Sequence, residues 1–332
     1  MSLSNYPAGF SQGLTVRGLP IQMAQPGKVW WLNNSSVLAP FGVAGDDNGP
    51  GTYQQPFLSL NGAITKIVGG AGSDASSGSS RGDILMVMPG HAETISTSTA
   101  VTMNCPGLMV CGLGTGTLRP TFTFGTATTA TINVSAADCS FINCLFIANY
   151  ASVAACFTLT AAKNFLVDHC EFRDTTAILN FVNIVKTDTT SDDADGLDME
   201  NNVYAGLSAA TNTCMVNMLG TNARVVIKNN YIHHAAVTQG GMMIVATGKS
   251  ITDAVISGNQ CVFVGATTAT QAVMISVVSS TTCTGIVALN QVYSLCDTTP
   301  ALVTSGTGLR FFGNLYVATA DASGFLLPAV GS

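Results

Sequence analysis

Residues 225–232 read VVIKNNYI: an apolar triplet, two polar residues, an Asn-type marker and an apolar end. This pattern decides the fold because it recurs down the second half of the chain, with Asn or Cys at the marker position and Asn259 in a looser copy. The markers are Cys144, Cys170, Asn202, Asn230, Asn259, Asn290 and Asn314. They are separated by 26, 32, 28, 29, 31 and 24 residues. A fixed motif at a loose period of this size predicts stacked repeats.

Each repeat predicts one coil of a parallel β-solenoid, so the chain is expected to be all-β. A unit has room for two or three short strands separated by turns, and it lacks the Ala, Leu, Glu and Lys patterns of paired helices. We place the marker Asn at a bend, because Asn tolerates left-handed backbone, and expect the markers to stack in one ladder. We also expect an aromatic column in the core, formed by Phe146, Phe172, Tyr204, Phe263, Tyr293 and Tyr316.

Composition limits the class of protein. The chain has 332 residues, a net charge of −6 and 9% charged residues. No apolar run reaches the roughly 20 residues of a membrane helix, and no secretory signal is visible. The acidic balance and the lack of a basic cluster argue against nucleic-acid binding. Because little charge keeps copies apart, we expect an obligate oligomer, specifically a homotrimer that uses outer apolar positions such as Val167 and Val287.

The ten cysteines predict buried, reduced thiols. None of them forms a CxxC pair, and no Cys/His set has zinc spacing. Most lie within apolar strands, so neither a metal nor another cofactor is expected.

The chain divides into four predicted parts: an N-terminal arm (1–50), a capping helix with a Gly/Ser loop (51–80), the parallel β-helix (81–320) and a C-terminal tail (321–332). The arm lies outside the repeat but keeps large apolar residues, so we expect it to dock on a partner. The predicted docking residues are Tyr6, Phe10, Val16, Arg17, Trp30 and Trp31. The alternative is that the arm folds back over the first coils, with Trp30 and Trp31 the first to do so.

One amphipathic helix is predicted within residues 51–68. Leu60, Ile64, Ile67 and Val68 fall on one helical face, and Ser59 is placed to cap the helix. Such a helix would cover the open apolar end of the first coil.

Two stretches, GTYQQPFLSLNGAI (51–64) and GDILMVMPGHAE (82–93), resemble the start of pectin-lyase-like right-handed parallel β-helix proteins. That fold hosts lyases, hydrolases, phage tailspikes and inert structural proteins, so the resemblance implies a fold and not an activity. The stretches NYPAGFSQGLTVRGLPI (5–21) and PGKVWWLNNSS (26–36) resemble the leader of head-associated β-helix proteins of tailed bacteriophages. This resemblance implies a virion protein, assembled in the host cytoplasm and bound to the major capsid protein or another virion protein.

The sequence offers little for catalysis. It has three glutamates, Glu93, Glu171 and Glu200, and its aspartates show no obvious carboxylate row from coil to coil. The aspartates within Asp188–Asp198 suggest either an ion or glycan site or a solvated turn. They lie in or beside a long insertion, residues 186–196, that we expect to project from the rod.

Three further motifs have both a functional and a structural interpretation, and the structural one is favoured for each. His233-His234 could bind a metal, yet adjacent strand residues point to opposite faces. Asp168-His169-Cys170-Glu171 resembles a catalytic triad, yet Cys170 is a marker expected to be buried. Arg81-Gly82-Asp83 resembles an adhesion tripeptide, yet it enters the first strong strand.

The main hypothesis is a non-enzymatic capsid decoration or cement protein, held to the phage head by its arm. The alternative is a phage tail spike or fibre that binds, and in one version cleaves, host surface polysaccharide. A bacterial surface or secreted carbohydrate enzyme is a third hypothesis.

Overall fold

The computed structural model describes residues 14–16, 19–21, 27–35, 42–70, 82–207, 213–234, 239–264, 273–277, 283–294, 301–303, 308–317 and 325–327. Within these residues the predicted parallel β-helix is confirmed. Successive strands pass through three sheets in turn, and within these sheets the strands pair in parallel from coil to coil, except at the last strand of the second sheet. One α-helix lies between the first two strands of the first sheet.

Sheet 1 contains ten described strands. They are β3 (Val29–Leu32), β4 (Ile84–Val87), β7 (Met109–Gly112), β10 (Ser140–Ile142), β13 (Leu166–Asp168), β16 (Asp198–Glu200), β20 (Val226–Lys228), β24 (Ala254–Ser257), β27 (Thr284–Ala288) and β30 (Gly308–Phe312). Sheet 2 follows sheet 1 in every coil. It contains β5 (Ala92–Ile95), β8 (Thr121–Phe124), β11 (Leu145–Ala148), β14 (Glu171–Asp174), β17 (Val203–Ala205), β21 (Tyr231–His234), β25 (Gln260–Phe263), β28 (Gln291–Ser294), β31 (Asn314–Val317) and β32 (Phe325–Leu327).

Sheet 3 completes each coil. It contains β6 (Val101–Met103), β9 (Ile132–Val134), β12 (Phe157–Leu159), β15 (Asn183–Thr187), β18 (Cys214–Met218), β22 (Gln239–Val245), β26 (Val273–Val277) and β29 (Ala301–Val303). The remaining elements are the antiparallel pair β1 (Leu14–Val16) and β2 (Leu19–Ile21), the short parallel pair β19 (Asn222–Ala223) and β23 (Ile251–Thr252), helix α1 (Leu60–Gly70) and a 3₁₀ turn at Gly116–Leu118.

The bend between sheets 1 and 2 is made by the residue directly before each marker. These seven residues have φ between 52° and 69°, and they are Asn143, His169, Asn201, Asn229, Gly258, Leu289 and Gly313. We had expected the marker itself to have left-handed backbone. This prediction is wrong, because the left-handed residue is the one directly before the marker. Gly and Asn adopt this backbone at low cost, whereas Leu289 does so at a steric cost.

The markers form one buried ladder between sheets 1 and 2. Asn230 Nδ2 donates to Asn259 Oδ1 at 3.0 Å, and the Asn230 N–H donates to the same oxygen at 3.0 Å. The same pair of bonds joins Asn202 to Asn230, Asn259 to Asn290 and Asn290 to Asn314. Each Asn also donates to a carbonyl of sheet 1 on the preceding coil, such as Met199 O for Asn230. The ladder thus satisfies buried backbone and side-chain groups together.

Two cysteines occupy the marker position in the coils before Asn202 and continue the ladder toward the N-terminus. The Cys170 N–H donates to Asn202 Oδ1 at 2.9 Å, and its thiol lies 3.6 Å from the Phe141 carbonyl. Cys144 is fully buried one coil earlier. A buried thiol is a small side chain with a weak donor, so it can occupy the marker position without an amide partner on each side.

The core column of sheet 2 begins with stacked phenylalanines. Phe122 and Phe146 are 5.6 Å apart, and Phe146 and Phe172 are 5.2 Å apart, with nearly parallel rings. Tyr204 is next in register. The next three positions of the column are Ile232, Cys261 and Val292, so the expected aromatic column is interrupted here. Tyr316 is in register with Val292 and so returns to the expected position.

Phe263 and Tyr293 occupy other positions of their strands. Phe263 is buried two residues further along, in register with His234. Tyr293 is 39% exposed and points outward, because it lies an odd number of residues from the marker.

Helix α1 closes the first coil. Leu60, Ala63, Ile64 and Ile67 are buried at the end of the core, where the helix contacts β3 and β6. The Gly62 N–H donates to Ser59 Oγ at 3.0 Å, so Ser59 caps the helix. The first helical N–H, at Leu60, donates to the Glu93 carboxylate at 2.9 Å.

The first strand of the solenoid, β3, lies before residue 81, where the β-helix was predicted to begin, and within the predicted arm. β3 pairs in parallel with β4, with Trp30 opposite Leu85 and Trp31 opposite Met86. This strand was missed because its partner lies about fifty residues away in a coil that α1 interrupts. At the other end, β32 falls in the predicted tail but pairs antiparallel with β31. Among the described residues, no helix is long and apolar enough to cross a bilayer.

Candidate functional site

The outer surface of sheet 2 carries exposed aromatic and amide side chains in its later coils. We call this surface the tyrosine face and define it by Val203, Tyr231, Gln260, Gln291 and Tyr293. Val203, Tyr231 and Tyr293 are each 39% exposed, and both glutamines are exposed. All five positions follow the inward marker by one or three residues, so alternation turns them outward.

Strand register fixes the relative positions on the tyrosine face. Tyr231 lies opposite Gln260, and Gln260 lies opposite Gln291, in one row along the rod. Tyr293 stands in the adjacent row, two residues further along its strand and two coils from Tyr231. At ordinary strand dimensions the two tyrosine Cα atoms are about 12 Å apart. The face is thus an extended surface and not an enclosed pocket.

This combination of groups suits a polyhydroxylated ligand. A tyrosine ring offers an apolar surface for the C–H face of a sugar ring, and its hydroxyl stays available for hydrogen bonds. A glutamine side chain both donates and accepts, which matches sugar hydroxyls. The sequence argument missed this face because it assigned Tyr293 to the core column.

The outer surface of sheet 1 carries a second group of polar residues, which we call the acidic row: Asp168, Asp198, Glu200 and Lys228. Asp168 lies opposite Glu200, and Glu200 lies opposite Lys228, on consecutive coils. Lys228 Nζ is 3.2 Å from Glu200 Oε1. Asp168 Oδ1 accepts from Asn201 Nδ2 at 2.9 Å.

Asp198 is the perturbed member of the acidic row. Burial raises its pKa to about 6; the negative charges of Glu200 and Asp168 add to the rise, while Lys228 opposes it. One of its oxygens, Oδ1, is buried without a hydrogen-bond partner among the described residues. Asp198 is therefore partly protonated near pH 6, beside a carboxylate that an ammonium group neutralises.

We expected no carboxylate row from the sequence, and this prediction is wrong, since Asp168 and Glu200 are in register on consecutive coils. Asp168, Glu200 and Lys228 each stand two residues before their marker, so the spacing from the markers already contained the signal. The comparison of aspartates alone missed it, because the second carboxylate of the row is a glutamate. The row is short, since its neighbours in register are Ile142 and Ser257.

The two adjacent histidines point to opposite sides of β21. His234 is buried, with Nε2 2.6 Å from Thr213 Oγ1. His233 faces outward, with Nδ1 3.3 Å from the Gly206 carbonyl. They cannot share a metal ion, and within the described residues no group of His, Cys, Asp or Glu suits one.

The triad-like stretch is divided among three environments. His169 Nδ1 is 2.7 Å from Asp168 Oδ1 on the surface. Cys170 is buried in the ladder line, and Glu171 faces outward between Arg119 and Arg173. Nucleophile and base therefore do not meet.

The adhesion-like tripeptide is partly described. Arg81 lies outside the described residues. Asp83 is buried and accepts from the Lys28 N–H at 2.6 Å, which fixes the entry into β4.

The aspartate-rich insertion does not project from the rod. The Ala162 N–H donates to Asp193 O, and the Asn164 N–H donates to Asp195 O on one side. On the other side the Gly196 N–H donates to Ala223 O. The prediction of a projecting loop is wrong because the backbone of this segment bonds to both neighbouring coils and continues the solenoid surface. Burial and the charges of Asp188 and Asp192 raise the pKa of Asp193, while Lys163 opposes the rise.

The structure describes three of the six predicted docking residues. Trp30 and Trp31 belong to β3 and pack within the chain, with ring centroids 5.8 Å from Phe57 and 5.0 Å from Tyr53, respectively. The alternative, a fold-back over the first coils, describes them better. Val16 ends β1, whereas Tyr6, Phe10 and Arg17 lie outside the described residues.

The two residues on which we based the homotrimer prediction do not lie on the outer surface of the rod. Val167 and Val287 are fully buried and face the core. Their outward neighbours include Ile286, which is 51% exposed. The homotrimer remains a prediction, without this basis.

No protein-family model matches the chain, and no curated protein matches it. Among solved structures, a double mutant of the tailspike protein of the E. coli bacteriophage HK620 matches with a TM-score of 0.47 and 13% sequence identity. The match covers 90% of this chain and 65% of the tailspike chain, so this chain spans less than two thirds of that protein. At this similarity the match assigns neither an activity nor a partner to the chain.

Proposed function

We propose that this chain is a bacteriophage virion protein, a spike or fibre whose tyrosine face binds polysaccharide on the host surface. The observation that carries the proposal is the outward pair Tyr231 and Tyr293, with Gln260 and Gln291 in register with Tyr231 on the next two coils. Buried aromatic side chains would serve stability, but these two rings leave the core and present partly exposed surfaces.

An extended sugar chain fits this arrangement better than a compact ligand does. The tyrosine face runs along several coils, and a polymer that lies along the rod would contact each coil weakly. Weak contacts repeated along one polymer combine into useful affinity, and several copies on one particle would raise it further.

The virion assignment is supported by the resemblance of residues 5–21 and 26–36 to leaders of phage head-associated proteins. We prefer a spike or fibre to a capsid decoration protein because the docking arm loses two of its six proposed anchors. Trp30 and Trp31 lie in β3 and pack against Phe57 and Tyr53, so the chain itself already covers part of both rings.

We propose binding without cleavage. Glycoside hydrolysis needs a carboxylic acid and a second carboxylate on either side of the scissile bond. In the acidic row Asp198 has the raised pKa that an acid needs, but Glu200 is paired with Lys228 and Asp168 is hydrogen-bonded to Asn201. The row lies on sheet 1, a different surface from the tyrosine face.

The test measures binding of the purified chain to an immobilised panel of bacterial surface polysaccharides. We expect at least one to bind, and we expect the double variant Tyr231→Ala, Tyr293→Ala to bind it at least tenfold more weakly. Tyr150→Ala is the matched control, since Tyr150 is also exposed but lies in the turn after β11.

Equal binding by the double variant and the wild type would refute the tyrosine face as the site, and absence of binding across the panel would refute the function. Chain-length analysis of the bound polysaccharide after incubation tests the non-enzymatic part. Shortened chains would favour the cleaving alternative, whereas unchanged lengths are expected.

A further inference from the structure

A separate groove lies along sheet 3, on a different surface from the tyrosine face. One side is formed by turn residues of consecutive coils, among them Ser98 and Thr129, and the floor by outward residues of β9, β12 and β15. Its volume of about 360 Å³ is at the lower end of the range for small-ligand sites. Because its residues come from successive coils, the groove runs along the rod.

The floor of the groove is polar and already ordered. Thr131 Oγ1 and Thr158 Oγ1 are 3.0 Å apart, and Thr160 Oγ1 donates to Asn133 Oδ1 at 3.3 Å. These contacts fix the side-chain orientations and leave further hydroxyl and amide groups to face a ligand. Preordered groups lose little conformational entropy when a ligand binds.

The groove has one charged lining residue, Lys186, and no acidic one among its described lining. This stands out in a chain of net charge −6. The Lys186 ammonium has no hydrogen-bond or ion-pair partner among the described residues. The carboxylate two residues away, Asp188, is occupied by the backbone and hydroxyl of Thr190.

On the next coil of sheet 3, the position in register with Lys186 holds an unsatisfied hydrogen-bond acceptor. Asn217 lies opposite Lys186 on the next coil. Its Oδ1 is buried without a partner among the described residues. A buried acceptor of this kind is costly unless a donor reaches it, and Asn217 itself is not one of the residues that line the groove.

We propose that this groove binds a saccharide unit that carries a negative charge, with Lys186 pairing the anion and the threonine and asparagine groups holding the hydroxyls. The anion is a carboxylate or a phosphate, since an ammonium group recognises both as a point charge. The inference rests on the proposed function only in taking the saccharide to be part of a host polysaccharide; the groove and the tyrosine face are tested separately.

The experiment measures the affinity of the purified full chain for four probes: oligogalacturonate, its carboxyl-reduced counterpart, an oligomer of sialic acid and a phosphomannan oligosaccharide. We expect at least one anionic probe to bind. If the carboxylate is the ligand, reduction of oligogalacturonate weakens binding at least tenfold; if the phosphate is the ligand, the phosphomannan oligosaccharide binds best.

Variants then assign the binding to the groove. Lys186→Gln should weaken binding of the anionic probe at least tenfold, while Lys186→Arg should stay within about threefold of the wild type. Lys163→Gln, at an exposed lysine outside the groove lining, is the control. Raising the salt concentration should weaken binding by the wild type and not by Lys186→Gln.

Three results would each overturn the inference. The first is unchanged binding by Lys186→Gln, and the second is equal binding of the carboxyl-reduced probe and the best anionic probe. The third is the absence of binding by every anionic probe. The double variant Tyr231→Ala, Tyr293→Ala separates this result from the proposed function. It should keep Lys186-dependent binding even if it loses polysaccharide binding at the tyrosine face.

Discussion

Asn230 Oδ1 accepts two hydrogen bonds from Asn202, one from Nδ2 at 3.0 Å and one from the backbone N–H at 2.9 Å. A single side-chain oxygen thus satisfies two buried donors of the preceding coil, and the arrangement repeats along the ladder. Because each rung depends on the next, the ladder fixes the register between coils as well as contributing stability.

Replacing Asn230 with leucine should destabilise the chain by about 2–5 kcal/mol, because two donors of Asn202 would be left buried and unpaired. Chemical denaturation of the purified variant measures this. Asn229→Gly is the control: it keeps the left-handed bend and does not touch the ladder, so its cost should stay below about 1 kcal/mol. Equal midpoints for the two variants would contradict the role of the ladder.

Replacing Leu289 with asparagine should stabilise the chain. Leu289 has φ 57° and is 59% exposed, so it carries the strain of left-handed backbone with little burial in return. Removing that strain is worth about 1 kcal/mol. The reciprocal variant, Asn229→Leu, should lose a similar amount at the equivalent bend. A lower midpoint for Leu289→Asn would show that its side chain is needed for packing.

Asp198 should make stability fall as pH rises. Its folded pKa of about 6 lies above the ordinary value of 3.8, so the folded state holds the proton more tightly. The stabilisation is therefore complete below pH 3.8 and is lost as pH rises through about 6. Asp198→Asn should melt at the same temperature as the wild type at pH 3.5 and at a higher temperature at pH 7.5.

The control for this pH series is Asp253→Asn, at an exposed aspartate. Melting curves of the three proteins from pH 3.5 to 8 give the comparison. A difference between Asp198→Asn and the wild type that is constant with pH would contradict the account of this carboxyl.

The thiols should resist alkylation in the folded protein. The nine cysteines of the described residues are free and buried. Burial is the main reason that the pKa of Cys111 rises to about 11 and that of Cys139 to about 12, which keeps both as unreactive thiols. Mass spectrometry after iodoacetamide treatment at pH 8 should find at most one modified cysteine in the native chain and ten after denaturation. The one allowed is Cys296, which lies outside the described residues. Rapid native labelling of two or more would contradict this.

The repeat could be predicted from sequence because each coil contributes the same inward marker at nearly the same interval. The marker needs a specific neighbour above and below, so its identity is strongly constrained and visible in one sequence. Helix α1 was equally visible, since its apolar face and the cap at Ser59 are local features.

The surfaces were harder to predict, because they depend on register and not on residue type. Tyr293 was placed in the core on account of its aromatic ring, although its odd offset from Asn290 turns it outward. The acidic row was missed since it combines an aspartate with a glutamate. β3 was missed since a parallel partner distant in sequence leaves no local signal. Counting offsets from each marker corrects the first two errors, and nothing in the local sequence corrects the third.

The location of the chain on intact phage particles tests the central claim most directly. Electron microscopy of particles labelled with gold-conjugated antibody against this chain would give it. A polysaccharide-binding spike or fibre predicts label at the tail, where the particle meets its host. Label distributed over the head shell would contradict that account and favour capsid decoration, and particles without label would contradict the virion assignment itself.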